Sequence, residues 1–215
     1  AIGNEGSLCY ITEVTVKLYR HFPENHTFFG YLIKDVASGI KVLREVMVNG
    51  YRPSVARVYS EEDARQHFYH FHKGKCVLLF MAEGNRGIVQ ATSAGIEEAV
   101  EKFKDGIIEQ VDSSLIASWF SHLNWSQQDI DDEFQGMIDN DSHAGFTTEV
   151  SADWETIPTL YDNVIKRVRM EFPRAHDLTM LGGHSSHSYI NGTNMYFVYN
   201  YAINCAPEDE MRVYH

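Results

Sequence analysis

Two stretches of this chain hold side chains whose types and spacing could do chemistry. The first is residues 182–201, GGHSSHSYINGTNMYFVYNY, with two histidines and four tyrosines. His184 and His187 have the spacing of some metal pairs. Three positions apart on an extended strand they point to opposite faces, so polar strand positions or separate ligand contacts suit them better than one shared ion. Asn191-Gly192 is a hairpin-turn signal. Beyond it, alternation puts Met195, Phe197, Tyr199 and Tyr201 on one face as a core stripe, and Tyr196, Val198 and Asn200 on the other. Tyr196 therefore reads either as an amphipathic packing residue or as a proton-transfer group. A free phenol ionises near pH ~10, so to act as a base it needs a cation or an electrophilic cofactor beside it.

The second stretch is residues 3–19, GNEGSLCYITEVTVKLY. Gly3, Glu5, Gly6 and Ser7 make a turn whose backbone N–H groups are little obstructed, which suits either a phosphate-bearing or planar cofactor or an ordinary tight turn. From Ile11 the run Ile-Thr-Glu-Val-Thr-Val-Lys-Leu alternates as a half-buried strand does.

These residues need a scaffold, and the remaining pattern supplies one. Strands are expected at residues 26–34, 54–59 (opened by Pro53), 75–82, 146–150, 178–189 and 194–203. Helices are expected at 36–48 with Gly50 as the stop, at 60–70 with Ser60 as N-cap and an acidic first turn, at 87–103 and at 154–172. Residues 113–141 read as helical, with Trp119, Phe120, Leu123 and Trp125 as anchors and an acidic run after them. The order predicts an α+β fold: an antiparallel sheet with helices on one face, organised as ferredoxin-like halves. No linker rich in Pro, Gly or Ser divides it.

Composition narrows the function classes. At 215 residues, 44% hydrophobic and 22% charged, the chain can bury one sizeable core. A net charge of −12 argues against a nucleic-acid partner. No apolar run approaches the roughly 20 residues of a membrane span. Cys9, Cys76 and Cys205 are few, distant and odd in number, which points to a reducing, cytoplasmic setting rather than a disulfide framework. The Asn-x-Ser/Thr triplets at Asn25, Asn124 and Asn191 are short enough to be chance matches.

The segment GNEGSLCYITEVTVKL resembles the Gly-Ser-Glu-Gly-Thr-Leu-Gly-Ile-Ile-Thr-Glu segment of FAD-linked oxidases, which closes their flavin domain and opens their C-terminal cap. The resemblance implies that Glu5, Gly6, Ser7, Leu8, Cys9, Tyr10 and Ile11 line FAD, with Cys9 departing from a glycine. It divides the chain into the end of a flavin domain (1–20) and a C-terminally incomplete cap, or substrate, domain (21–215), a piece not expected to act alone. Within the superfamily, Ser-His-x-Tyr-x-x-Gly-x-x-x-Tyr-Phe from Ser186 to Phe197 is similar to the active-site hairpin of alkyldihydroxyacetonephosphate synthases. That likeness makes Tyr196 the catalytic tyrosine and His187 a pocket residue. It also puts Arg57, in RPSVAR, on the activity-critical arginine; otherwise Arg57 is a surface charge on a strand. Glu149 and Trp154 match a further landmark. The family's phosphate-binding arginine, however, falls on Gln135, and no Arg occurs between Arg86 and Arg167.

The activity implied by this resemblance is exchange of acyl for alkyl on dihydroxyacetone phosphate by an FAD enzyme. The substrate would be small or lipid-like, with room for peripheral membrane contact and a homodimer, and a peroxisomal setting in a eukaryote. Two alternatives stay open. One is the cap of an FAD-dependent 2-hydroxy-acid oxidase or dehydrogenase, in which Gln135 is no anomaly. The other is a cofactor-free binding module.

Overall fold

Local chemistry sets most element boundaries. In the computed structural model, which describes residues 3–4, 6–123, 125–139 and 142–214, β1 (Thr27–Ile33) leads into α1 (Val36–Val48) through Asp35. The Asp35 carboxylate accepts the Ser38 N–H at 2.7 Å and caps the helix. The helix stops where Gly50 takes a φ of +88°, the left-handed conformation that glycine adopts without strain. Next come β2 (Val55–Tyr59), α2 (Glu61–His67), β3 (Cys76–Ala82), α3 (Arg86–Lys102) and β4 (Ile107–Val111). The chain continues through α4 (Ser113–Ser121), α5 (Gln127–Asp139), β5 (His143–Asp153), α6 (Ile157–Glu171), β6 (Leu178–Ser185), β7 (Gly192–Ala202) and α7 (Glu210–Tyr214).

The strands form a seven-stranded sheet in the order β4-β1-β3-β2-β6-β7-β5, with antiparallel pairing throughout. The first four strands with α1 and α3 make a complete ferredoxin-like βαββαβ unit. The last three, with α6, repeat its βαββ portion. The halves meet at β2 and β6, where Val58 pairs with Ser185 and Tyr59 with His184.

The expected helical layer is α1, α3 and α6, which pack Ile40, Val46, Ile96 and Ile157 against Ile33, Val58, Leu78 and Met195. Each such side chain, buried fully, stabilises the fold by about 1.5–3 kcal/mol. The shorter α2 and α4 lie over the opposite face of the first half, where Phe68, Ile116 and Trp119 close on Leu32, Tyr59 and Leu79.

Three features depart from the sequence pattern. The strand expected from Ile11 to Leu18 joins no sheet: its residues are exposed and unpaired by any strand among the described residues. Alternation alone makes no strand when no edge lies beside it, and β1 is already flanked by β3 and β4. Edge strand β4 escaped the pattern because IIEQV is short and half exposed. Finally, Asn191-Gly192 is not the centre of the hairpin turn. The turn is closed by the Tyr189 N–H on the Gly192 carbonyl, with Ile190 and Asn191 between them. Gly192 instead opens β7 opposite Asp153, where any Cβ would collide with the backbone carbonyl of Ala152.

Candidate functional site

The seam between the halves sets four residues in a row across adjacent strands. Tyr59 on β2 lies opposite His184 on β6, His184 opposite Tyr196 on β7, and Tyr196 opposite Glu149 on β5. Directly opposed residues share a face and touch. Here the ring centroids lie close: His184 is 5.0 Å from Tyr59, tilted by 30°, and stacks on Tyr196 at 5.2 Å and 19°.

Helix α2 supplies the charge behind this row. Ser60 caps it, and the Ser60 hydroxyl accepts the N–H of Gly183 at 3.0 Å, which ties the helix to β6. A Cβ on Gly182 would stand 2.8 Å from the Ser60 oxygen and 2.9 Å from the Asp63 nitrogen, so glycine lets helix and strand close up. The result brings the Asp63 carboxylate, 0% exposed, within 2.6 Å of His184 Nδ1, which donates to it. His67 Nε2 sits 3.3 Å from the other carboxylate oxygen, without hydrogen-bond alignment. Burial pushes the Asp63 carboxyl upward, but the His184 hydrogen bond and nearby His67 outweigh it and hold the group below the usual range.

Arg57 extends the network from the other side. Its Nη1 donates to the Tyr59 hydroxyl at 2.9 Å, and its guanidinium lies 5.8 Å from the Trp119 ring centroid, in cation–π range. Burial pushes the Tyr59 phenol up, against the partly offsetting charge of Arg57. Thr147 offers its hydroxyl to the Tyr196 oxygen at 3.4 Å. Buried Asn194 donates to Glu149 at 2.8 Å, while its own carbonyl accepts the N–H groups of Ser186 and His187. His187 Nδ1 stands 3.2 Å from Asn194 Nδ2 and 3.7 Å from Glu149.

Tyr196, Arg57 and His187 are thus gathered around one network, Arg57 reaching it through Tyr59 and His187 through Asn194. The expected core stripe on β7 holds for Met195, Phe197 and Tyr201, which are buried, but Tyr199 is only half-buried; Tyr196 on the other face is partly covered. Sequence reasoning missed Tyr59, Asp63 and His67. Asp63 sat in an acidic first turn that reads as helix capping, and its only further signal was His67 four residues on.

Farther along the same face, α4, α5 and β5 border an open cleft of about 890 Å³. Asp129, Asp132 and Glu133 line it together with His122, His143 and Asn200. Gln135 is not among its lining; it donates to Asp139 at 2.9 Å on the outer side of α5.

In the expected flavin segment, Glu5 lies outside the described residues. The Gly6 and Ser7 N–H groups are engaged by the Asn4 side chain and carbonyl, at 2.8 and 2.9 Å, so those two donors are not turned toward a phosphate. Leu8, Cys9, Tyr10 and Ile11 run on as exposed backbone outside the sheet. Among the described residues, chain neighbours aside, nothing lies within 4 Å of where a Cβ would sit on Gly3 or Gly6. That open, unpaired edge fits contact with a planar group held mainly from elsewhere.

Residues 22–215 match the family model described as "FAD linked oxidases, C-terminal domain". Two curated proteins named "Uncharacterized FAD-linked oxidoreductase YgcU" are similar over all 215 residues: 56% identical in Escherichia coli O157:H7 and 55% in strain K12. The chain spans 44% of the length of each. Two solved structures of alkyldihydroxyacetonephosphate synthase superpose with TM-scores of 0.58 and 0.63 at 14% and 15% identity. They cover 83% of this chain, which spans 37% and 36% of theirs. At such identity the likeness establishes the fold.

Proposed function

The chain belongs to the family of C-terminal domains of FAD-linked oxidases, and on that premise we propose that it is the substrate-side domain of an FAD-dependent oxidoreductase acting on a small polar alcohol. The FAD supplies the two-electron acceptor. Leu8, Cys9, Tyr10 and Ile11 would border it. Tyr196 exchanges a proton with the substrate hydroxyl, Arg57 supports the site electrostatically through Tyr59, and His187 with Asn194 and Glu149 orients the substrate by hydrogen bonds.

The observation that carries this reading is the cross-strand row Tyr59–His184–Tyr196, with Asp63 bonded to its middle residue and Arg57 to the Tyr59 end. It sets one partly exposed phenol beside charged and polar groups, at the border of the aromatic-covered first half of that face. A second reading, acyl-for-alkyl exchange on dihydroxyacetone phosphate, draws support from the synthase fold likeness and the Ser186–Phe197 pattern. It fits the cleft less well, since Asp129, Asp132 and Glu133 would repel a phosphate and Gln135 cannot replace a bidentate guanidinium. Membership of an FAD-linked family speaks against a cofactor-free module.

The test is the flavin spectrum of the full-length protein without oxygen. Bleaching by uncharged polar alcohols, with no response to an acyl-dihydroxyacetone phosphate, is the expected outcome. Bleaching by the phosphorylated ketone alone would replace it with the exchange reading.

A further inference from the structure

A phenol that accepts protons at ordinary pH needs a cation against it, and Arg57 does not stand there. It is pinned to Tyr59 on β2, and the whole of β6 separates that strand from Tyr196 on β7. The residue in between is His184, whose ring lies flat against the Tyr196 ring.

Every group packed on His184 bears on its charge. Asp63, from α2, is fully buried and only 2.6 Å away. A carboxylate so placed is costly unless a cation pairs with it. His67, also from α2, meets the His184 ring edge-on at 6.5 Å and is itself half exposed. Tyr59 and Tyr196 flank the imidazole from either side, one tilted and one stacked, and aromatic rings so close favour a cation between them. Glu149, opposite Tyr196, has its carboxylate engaged by Asn194, and Arg57 lies beyond Tyr59.

We propose that Asp63 keeps His184 protonated between Tyr59 and Tyr196, and that this imidazolium is the cation that lets the Tyr196 phenolate accept the substrate proton. In that step the substrate O–H bond breaks, its electron pair stays on the substrate oxygen, and the Tyr196 O–H bond forms. Asp63 is a positioning residue: it acts through His184. The inference rests on the reading of Tyr196 as the proton-transfer group.

The experiment compares full-length flavoprotein carrying Asp63→Asn, His184→Gln or Tyr196→Phe with the native enzyme. His184→Gln keeps a donor for Asp63 while removing the ring charge, so it serves where Asp63→Asn loses flavin. Two readouts are tracked: the acid limb of kcat, and the tyrosinate absorbance that is lost with Tyr196→Phe. Both midpoints should rise by about one pH unit or more in His184→Gln, where the phenolate loses its cation and the Asp63 charge stays, and by less in Asp63→Asn, which removes both charges of the pair. Midpoints left at native values, with only thermal stability lowered, would reduce the pair to a structural contact and overturn the proposal. If Tyr196→Phe is inactive in that case, the proposal alone fails. Full activity of Tyr196→Phe would instead remove the proton-transfer reading beneath it.

Discussion

The two halves of the sheet share a strand–helix–strand–strand plan yet treat the face away from the long helices in opposite ways. In the first half, α2 and α4 cover that face with Phe68, Phe71, Ile116 and Trp119. In the second, the same face carries Thr147, Glu149, Asn194 and Tyr196, joined by hydrogen bonds and bordered by an open cleft. One repeat has become scaffold and the other a reactive surface. The residues that combine the two roles, Tyr59 with Asp63 and His184, sit at the join.

That division predicts how the halves should respond to damage. The largest effect on stability is expected in the sealed half: Phe80→Ala, at a fully buried position of β3, should cost about 3–5 kcal/mol in urea unfolding. A cost under about 1 kcal/mol would mean that the first half is not the scaffold. Tyr196→Phe should do the reverse, lowering kcat by about a hundredfold or more while unfolding shifts by less than about 1 kcal/mol. Equal damage to stability and rate would blur the contrast.

Gly182→Ala probes the join, since its new Cβ would press on the backbone of Asp63 as well as on Ser60. We expect about 1–3 kcal/mol of destabilisation together with reduced turnover, because helix and strand are forced apart behind His184. Loss of stability without loss of rate would uncouple the join from the site. The smallest effect is in pH dependence. Asp63 is held below its ordinary value of 3.8, so it contributes stability above that pH and loses it as acid drives the pH through the folded value. Stability measured below about pH 4 should therefore fall less steeply in Asp63→Asn than in the native protein. Parallel slopes would assign the acid lability to other carboxylates.

Legibility tracked periodicity. Helix α1 was readable to the residue because Val36, Ile40, Leu43 and Met47 repeat at helical spacing up to the stop at Gly50. Three of the four core positions expected on β7, Met195, Phe197 and Tyr201, were readable from simple alternation, while Tyr199 is half-buried. Arg57, Tyr196 and His187 stood out through motifs, but what links them did not. Asp63 and Tyr59 carry no local sign of meeting His184, which lies 121 residues beyond Asp63, because strand order rather than spacing creates that contact. The residues from 11 to 18 erred in the other direction: their pattern is that of a strand, but pairing depends on a neighbour that alternation cannot reveal.

That unpaired ribbon has a practical consequence. Leu8, Tyr10, Val14, Val16 and Leu18 fall on one side of an extended chain, each more than 60% exposed. Unsatisfied backbone beside a greasy stripe is the usual seed of cross-β stacking. Crystallisation or calorimetry on these 215 residues alone would have to contend with clumping, which a lysine at Val16 should suppress without touching the sheet.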